Sequence, residues 1–237
     1  MIILHVTDLH LNERWFRWLA ESAPVSDLLC ISGDLLDRDS PVLHLDQVGL
    51  VAEWLRDIKR PLCLCSGNHD LEWDVQYECW RPARWLRGPV SPRVWGDGDR
   101  FELGGHRFQS ISRTTYPKGG AADFWITHTP PSGLVVGRDH LGVDHGEPAL
   151  ALAAAVHRPT AVFSGRVHEP TSWFERRGGV MYLNPGHTSG ARFPNYIRFD
   201  TATHDARLVL DSPIGARSEA ARWACAFAEQ DAELSVA

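Results

Sequence analysis

An α/β fold with two mixed sheets and helices on the outside is what this sequence predicts, and three observations predict it. Short apolar runs end in polar loops at three places in the first seventy residues, with an amphipathic helix pattern between the second and third. The second half of the chain alternates in the manner of antiparallel strands. No G-x-G-x-x-G turn follows the first run, which argues against a dinucleotide-binding parallel sheet.

The first run, Ile2 to Val6, is rich in β-branched residues and leads into Thr7-Asp8-Leu9-His10, so it reads as a buried strand ending in a polar loop. The same grammar returns at Leu28 to Ile31 before Gly33-Asp34, and at Leu62 to Cys65 before Gly67-Asn68-His69-Asp70. Between these two strands Val48, Val51, Leu55 and Ile58 fall three or four apart. They predict a helix from Asp46 to Ile58 that Pro61 stops. Strand, helix, strand of this kind is a parallel βαβ unit. A further Trp-bearing helix is expected within Leu71 to Leu86.

From Val94 to Ser112 the runs shorten, and Gly104-Gly105 between Phe101-Glu102-Leu103 and Arg107-Phe108-Gln109 predicts a hairpin. Asp123 to Ile126 reads as a strand ending at Thr127-His128. A Pro/Gly-rich loop from Thr129 to Gly146 then precedes an alanine-rich helix over Glu147 to Val156, and Ala161-Val162-Phe163 forms a strand ending at Gly165-Arg166-Val167-His168. Two strand pairs follow, Ser172 to Arg176 with Val180 to Leu183 and Tyr196 to Phe199 with Ala206 to Leu210, before a closing helix over Ala216 to Gln230.

The chain has 237 residues, 43% of them hydrophobic, and no linker or repeat divides it, so one domain over 1–237 is expected. A net charge of −6 gives no basic field for a nucleic-acid polymer. A small phosphorylated substrate stays compatible, because a bound metal supplies positive charge locally. None of the five cysteines forms a C-x-x-C pair, and Cys63 and Cys65 alternate like small buried hydrophobes, which favours a reducing compartment. With a strand in place of a signal peptide and no membrane-length apolar run, a cytoplasmic protein without a membrane partner is expected. Oligomeric state leaves no signature.

Five loops that follow strands carry the polar residues: Asp8 and His10; Asp34 and Asp37; Asn68, His69 and Asp70; His128; and His168. In open α/β sheets such loops converge on a ligand crevice. Taken singly, each residue is more simply a helix cap, a turn former or a hydrogen-bonded histidine. Five repeats of one placement argue for a common centre, and oxygen plus imidazole donors suit Mn, Fe, Co or Zn.

The order Asp8-x-His10, Gly33-Asp34-x-x-Asp37, Gly67-Asn68-His69-Asp70, His128 and Gly165-x-x-His168 resembles the calcineurin-like metallophosphoesterases over nearly the whole chain. The resemblance implies a four-layer α-β-β-α sandwich around one or two divalent metal ions. It implies that Asp8, His10 and His168 hold the first metal, that Asp34 bridges, and that Asn68 and His128 hold the second. His69, oriented by Asp70, would face the substrate and protonate the leaving group or stabilise its charge, while Asp37 would hydrogen-bond the loop rather than the metal. The implied activity is hydrolysis of small phosphomonoesters or phosphodiesters by a metal-bound hydroxide.

One position departs from the family pattern. The last motif, Gly-His-x-His in the family, reads Gly165-Arg166-Val167-His168, and a guanidinium has no lone pair with which to ligate. Three arrangements follow: Arg166 enters the site and grips phosphate, Arg166 swings away from a weak second site, or the scaffold binds metal and nucleotide or phosphate with little or no turnover. His187 and His145 are the residues to examine as replacement ligands or substrate contacts, although a solvent-facing loop histidine is the simpler reading of each. Arg113, in a segment flanking the Thr129 to Gly146 loop, is a further candidate substrate contact.

Overall fold

The computed structural model describes residues 1–21, 23–87, 91–113, 116–117, 122–210 and 217–221. β1 (Ile2–Val6), α1 (Glu13–Glu21), β2 (Leu28–Ser32), α2 (His44–Asp57) and β3 (Leu62–Cys65) come first. A small hairpin of β4 (Glu72–Asp74) and β5 (Cys79–Arg81) leads to β6 (Val94–Trp95), β7 (Arg100–Leu103), β8 (His106–Ile111) and β9 (Phe124–Thr127). The chain continues through α3 (Pro148–His157), β10 (Ala161–Phe163), β11 (Phe174–Arg177), β12 (Val180–Leu183), β13 (Tyr196–Asp200), β14 (Asp205–Leu210) and β15 (Arg217–Ala221).

One sheet runs β15-β14-β13-β1-β2-β3-β6 and the other β11-β12-β10-β9-β8-β7. Each has a parallel centre with antiparallel strands beside it. Side-chain alternation along β1 to β3 builds the layers. Leu4, Val6, Leu29, Ile31, Leu62 and Leu64 face outward onto Trp15, Phe16 and Leu19 of α1 and Val51 and Leu55 of α2. Ile3, Leu28, Cys30, Cys63 and Cys65 face inward against Phe108, Phe124, Ile126 and Phe163 of the second sheet. The outer side of that sheet, with Trp125, Val162 and Tyr182, packs on Leu150 and Ala154 of α3. Helix, sheet, sheet, helix is the predicted four-layer sandwich, and side chains of period two make the middle seam.

Gly104 and Gly105 both have positive φ, as a two-residue hairpin turn demands. Glu147 caps α3, its carboxylate accepting the Ala149 amide at 3.2 Å, with Pro148 in the first turn.

Two expectations need correction, and one element went unpredicted. The helix expected within Leu71 to Leu86 is the β4–β5 hairpin followed by a 3-10 turn at Arg84–Leu86. Asp74 Oδ1 accepts the amides of Gln76 and Tyr77, Glu78 sits at φ +47°, and Trp73 packs against Trp80 across the strands, so local turn chemistry outcompetes the helical spacing of the tryptophans. At the other end, Arg217–Ala221 of the expected closing helix is β15, paired antiparallel with β14; residue 216 and residues 222–230 of that segment lie outside the described residues. Alanine-rich composition favoured a helix there, but the open edge of β14 offers ladder hydrogen bonds instead. Finally, α1 was not anticipated. Its Trp15, Phe16 and Leu19 form one buried face, and Trp15 Nε1 donates to the Ala191 carbonyl at 3.0 Å.

Candidate metal centre

All five loops meet. Their first group is Asp8, His10 and His168, with Asp8 Oδ1 lying 3.8 Å from His10 Nε2 and 3.5 Å from His168 Nε2. The two Nε2 atoms face each other at 3.1 Å. Asp8 Oδ2 accepts the Thr7 hydroxyl at 2.7 Å and the Arg166 amide at 3.1 Å, while Oδ1 is buried without a hydrogen-bond partner. Burial opposes ionisation of Asp8, yet His168, His128 and Thr7 outweigh it and hold the carboxyl below its ordinary range. Burial lowers the His10 pKa, favouring the neutral ring a metal requires.

A second group lies deeper. His128 is fully buried, donates Nδ1–H to the Ser32 carbonyl at 2.8 Å, and so presents Nε2 to Asp34 Oδ2 at 3.3 Å and Asn68 Oδ1 at 3.1 Å. Burial alone would depress His128, but Asp34 and Asp8 prevail and raise its pKa to about 9. Asp34 Oδ1 accepts the His69 amide at 2.8 Å. Arg166 reaches into this group, its Nη1 donating to Asn68 Oδ1 at 2.7 Å. The guanidinium therefore points into the donor group and does not swing away from it.

Backbone conformation makes these approaches possible. Asp8, His10, Asp34 and Arg166 all have φ between +44° and +68°, a region costly for side-chain-bearing residues and common at functional sites. A Cβ on Gly165 would collide with the Thr7 hydroxyl and the Asp8 carboxylate, and one on Gly67 with the Asp34 carboxylate. The glycines in the motifs are therefore clearance for the neighbouring donors.

His69 Nδ1 accepts the Arg38 amide at 3.0 Å, which leaves the neutral ring with its proton on Nε2, and the ring packs 4.7 Å from that of His10. Asp70, expected to orient His69, instead accepts the Leu36 amide at 2.9 Å and the Gly67 amide at 2.7 Å. Its burial and the nearby Asp34 push its pKa up to about 7. Asp37 Oδ1 accepts the Asp39 amide and stands 3.7 Å from His69 Nδ1, beside the ring rather than among the donor groups.

His187 is not a solvent-facing loop residue. Its Nδ1–H donates to the Asp8 carbonyl at 2.8 Å, and the ring packs 4.7 Å from His168 and 5.0 Å from Trp15. His145 is elsewhere, paired with Asp139 at 2.8 Å. The Arg113 charge acts on Arg166: burial first and Arg113 second reduce the Arg166 pKa. Two contributors escaped the sequence. Asp97 accepts both the amide and the hydroxyl of Ser66, each at 2.7 Å, bracing the loop that carries Asn68. Its signal was available, since Gly96-Asp97 follows β6 in the pattern of the other motifs. Arg38, stacked 3.6 Å from the Trp80 ring centre, had no such signal.

The donors fit a divalent cation. Asp8, His10 and His168; His10, Asp34 and His69; and Asp8, Asp34 and His128 each gather ligand atoms within 4.8 Å of one another. An unpartnered buried carboxylate oxygen and two facing imidazole nitrogens suit a cation, and an oxygen and nitrogen set without thiolate suits Mn, Fe, Co or Zn. Cys30, Cys63 and Cys65 stay in the apolar seam.

One solved crystal structure aligns at a TM-score of 0.62 with 14% identity, covering 89% of this chain and 99% of that one. A single mutant of Vps29 from Entamoeba histolytica aligns at 0.51 with 13% identity, covering 94% and 100%, and vacuolar protein sorting 29 from Cryptosporidium parvum at 0.51 with 13%, covering 94% and 97%. At these identities the likeness is one of fold. No curated protein matches the sequence. The profile of the calcineurin-like phosphoesterase superfamily domain matches residues 1–206, and the converging loops are those the motifs named: the chain belongs to the calcineurin-like phosphoesterase superfamily.

Proposed function

We propose that this chain is a divalent-metal-dependent hydrolase of small phosphomonoesters or phosphodiesters. The observation that carries the reading is His69. Its Nδ1 is occupied by the Arg38 amide, so the neutral ring holds an Nε2–H donor beside the cation ligands, where a leaving oxygen needs a proton or a hydrogen bond. A bound divalent ion supplies charge for phosphate oxygens and lowers the pKa of water. Asp8, His10 and His168, with Asp34 beside them, would hold it.

The remaining residues set geometry. His187 fixes the Asp8 carbonyl, the Ser32 carbonyl fixes the His128 tautomer, and Asp70 ties the Leu36 and Gly67 amides of two ligand loops together. The substrate we propose is a small molecule inside a cytoplasmic setting, in keeping with the net charge of −6. Among the described residues no helix is long and apolar enough to cross a membrane.

The test is hydrolysis of a chromogenic phosphomonoester and a chromogenic phosphodiester with added Mn²⁺, comparing wild type with His69→Ala. The variant should lose about 10²- to 10⁴-fold in rate and keep its Mn²⁺ affinity. A second reading, a metal and nucleotide or phosphate binder with little turnover, is favoured by the Arg166–Asn68 contact. Tight nucleotide binding without turnover under any divalent metal would establish it and overturn the first.

A further inference from the structure

We infer that Arg166 is a built-in cation standing in for a second metal ion, so that the chain holds one divalent ion, at Asp8, His10 and His168. This rests on the proposed metal-dependent site, and it assigns the deeper half of that site to a guanidinium. Two sets of donors converge here. The first has an orphaned carboxylate oxygen and two imidazole nitrogens facing each other, and no guanidinium or ammonium among the described residues donates to them. In the second, His128 Nε2 lies 3.3 Å from Asp34 Oδ2 and 3.1 Å from Asn68 Oδ1, but the Asn68 oxygen already accepts from Arg166 Nη1 at 2.7 Å. A guanidinium donates and cannot ligate, so a cation approaching Asn68 Oδ1 meets that positive charge unless the guanidinium is evicted.

Eviction is opposed by the way Arg166 is anchored. Its own amide donates to Asp8 Oδ2 at 3.1 Å, its backbone is held at φ +68°, and Gly165 before it lies against Thr7 and Asp8. The residue that blocks the second set is thus fastened to the carboxylate of the first. The guanidinium also has work to offer. Nε of Arg166 and Nε of Arg113 are buried without hydrogen-bond partners, and the charge of one acts on the other. Guanidinium donors of this kind suit phosphate oxygens, which accept several at once. Arg166 in this arrangement both excludes a cation and supplies the positive charge that cation would have brought to the substrate.

Counting ions tests this without reference to turnover. Metal-free protein is titrated calorimetrically with Mn²⁺, and the ion content of the dialysed protein is measured. Wild type should bind one ion per chain, and Arg166→His, which replaces the guanidinium with an imidazole, should bind two. Because Asn68 serves Arg166 and not the ion, Asn68→Ala should keep one ion with an affinity within about threefold of wild type, a range below the 10- to 100-fold losses seen even for residues that only support a ligand. Two ions in wild type overturn the inference and leave the metal-dependent reading standing. So does a folded Arg166→His that still binds one, or a tenfold loss in Asn68→Ala. No ion in wild type overturns both.

Discussion

The two donor groups differ in access as much as in composition. His168, in the first, has a side chain 46% exposed, and that of His10 is 15% exposed; in the second, His128 is sealed and Asp34 is 3% exposed. An open group with an unsatisfied oxygen is one that an ion enters and leaves through water. A sealed group carries its positive charge in the covalent structure, where dilution or chelation does not remove it. Like unit charges about 4 Å apart repel by roughly 4 kcal/mol at an effective dielectric near 20, and a dication doubles that, so a fixed guanidinium is a strong bias against a neighbouring ion. On the proposal that Arg166 stands in for an ion, the contrast would divide the centre into an exchangeable half and a permanent half.

Breaking the exchangeable half should have the largest effect. Asp8→Asn removes the only carboxylate of the open group, and Mn²⁺ affinity should fall by more than about 100-fold, beyond what loss of a supporting residue causes. The rise in melting temperature that Mn²⁺ gives wild type should vanish with it, as differential scanning fluorimetry would report. Gly165→Ala should come next, because the new methyl group meets both Thr7 and Asp8 and shifts the anchor of Arg166. We expect a loss of about 1–3 kcal/mol in denaturant-measured stability from overpacking, together with weaker Mn²⁺ binding; unchanged values would mean the loop relaxes freely and the two halves are not mechanically joined.

Asp97 offers a smaller and more selective perturbation, since it braces only the loop of Asn68. Burial pushes its carboxyl pKa up to about 6, against about 3.9 in an unfolded chain. Between those values the folded protein binds the extra proton, so its contribution to stability is complete below about pH 4 and declines as pH rises to about 6. Asp97→Asn should flatten that decline, a change on the order of 2 kcal/mol over the interval. Urea titrations at pH 4.5 and 6.5 would show it, and an unaltered slope would place the titration elsewhere. Trp80→Ala should do least, removing an exposed cation–π stack on Arg38 of about 0.5–1 kcal/mol and leaving the ion count untouched.

Much of the site was legible because each donor sits beside a marker of its own. Asp8, Asp34, Asn68, His128 and His168 follow apolar runs of β-branched or aliphatic residues, and Gly33, Gly67 and Gly165 flag tight approach. Parallel strands at the centre of a sheet are buried on both faces, so β1, β2 and β3 read as unbroken apolar stretches. The hairpin of β4 and β5 was illegible for the opposite reason: its tryptophans are half exposed and spaced seven apart, which a helix also satisfies, and only the Asp74 turn decides. Asp70 holding backbone amides in place of His69, and Arg166 finding Asn68 across 98 positions of sequence, depend on side-chain direction in three dimensions. No local pattern encodes that.

The alternation that builds the seam between the sheets has a consequence for charge. Along the inward face of β2 the residues run Leu28, Cys30, Ser32; along β1, Ile3 gives way to His5, whose Nε2 meets the Ser32 hydroxyl at 2.8 Å; and on β8, Phe108 gives way to Ser110, which donates to the Leu64 carbonyl at 2.6 Å. The interior therefore grades from oil to hydroxyl along a single axis that ends at the cation donors. Burial drives the His5 pKa down to about 3, so this ring stays uncharged while His128, a few residues further along that axis, is pushed the other way. Polarity rises toward one rim of the sandwich, and the buried donors Asp8, Asp34 and His128 stand at that rim.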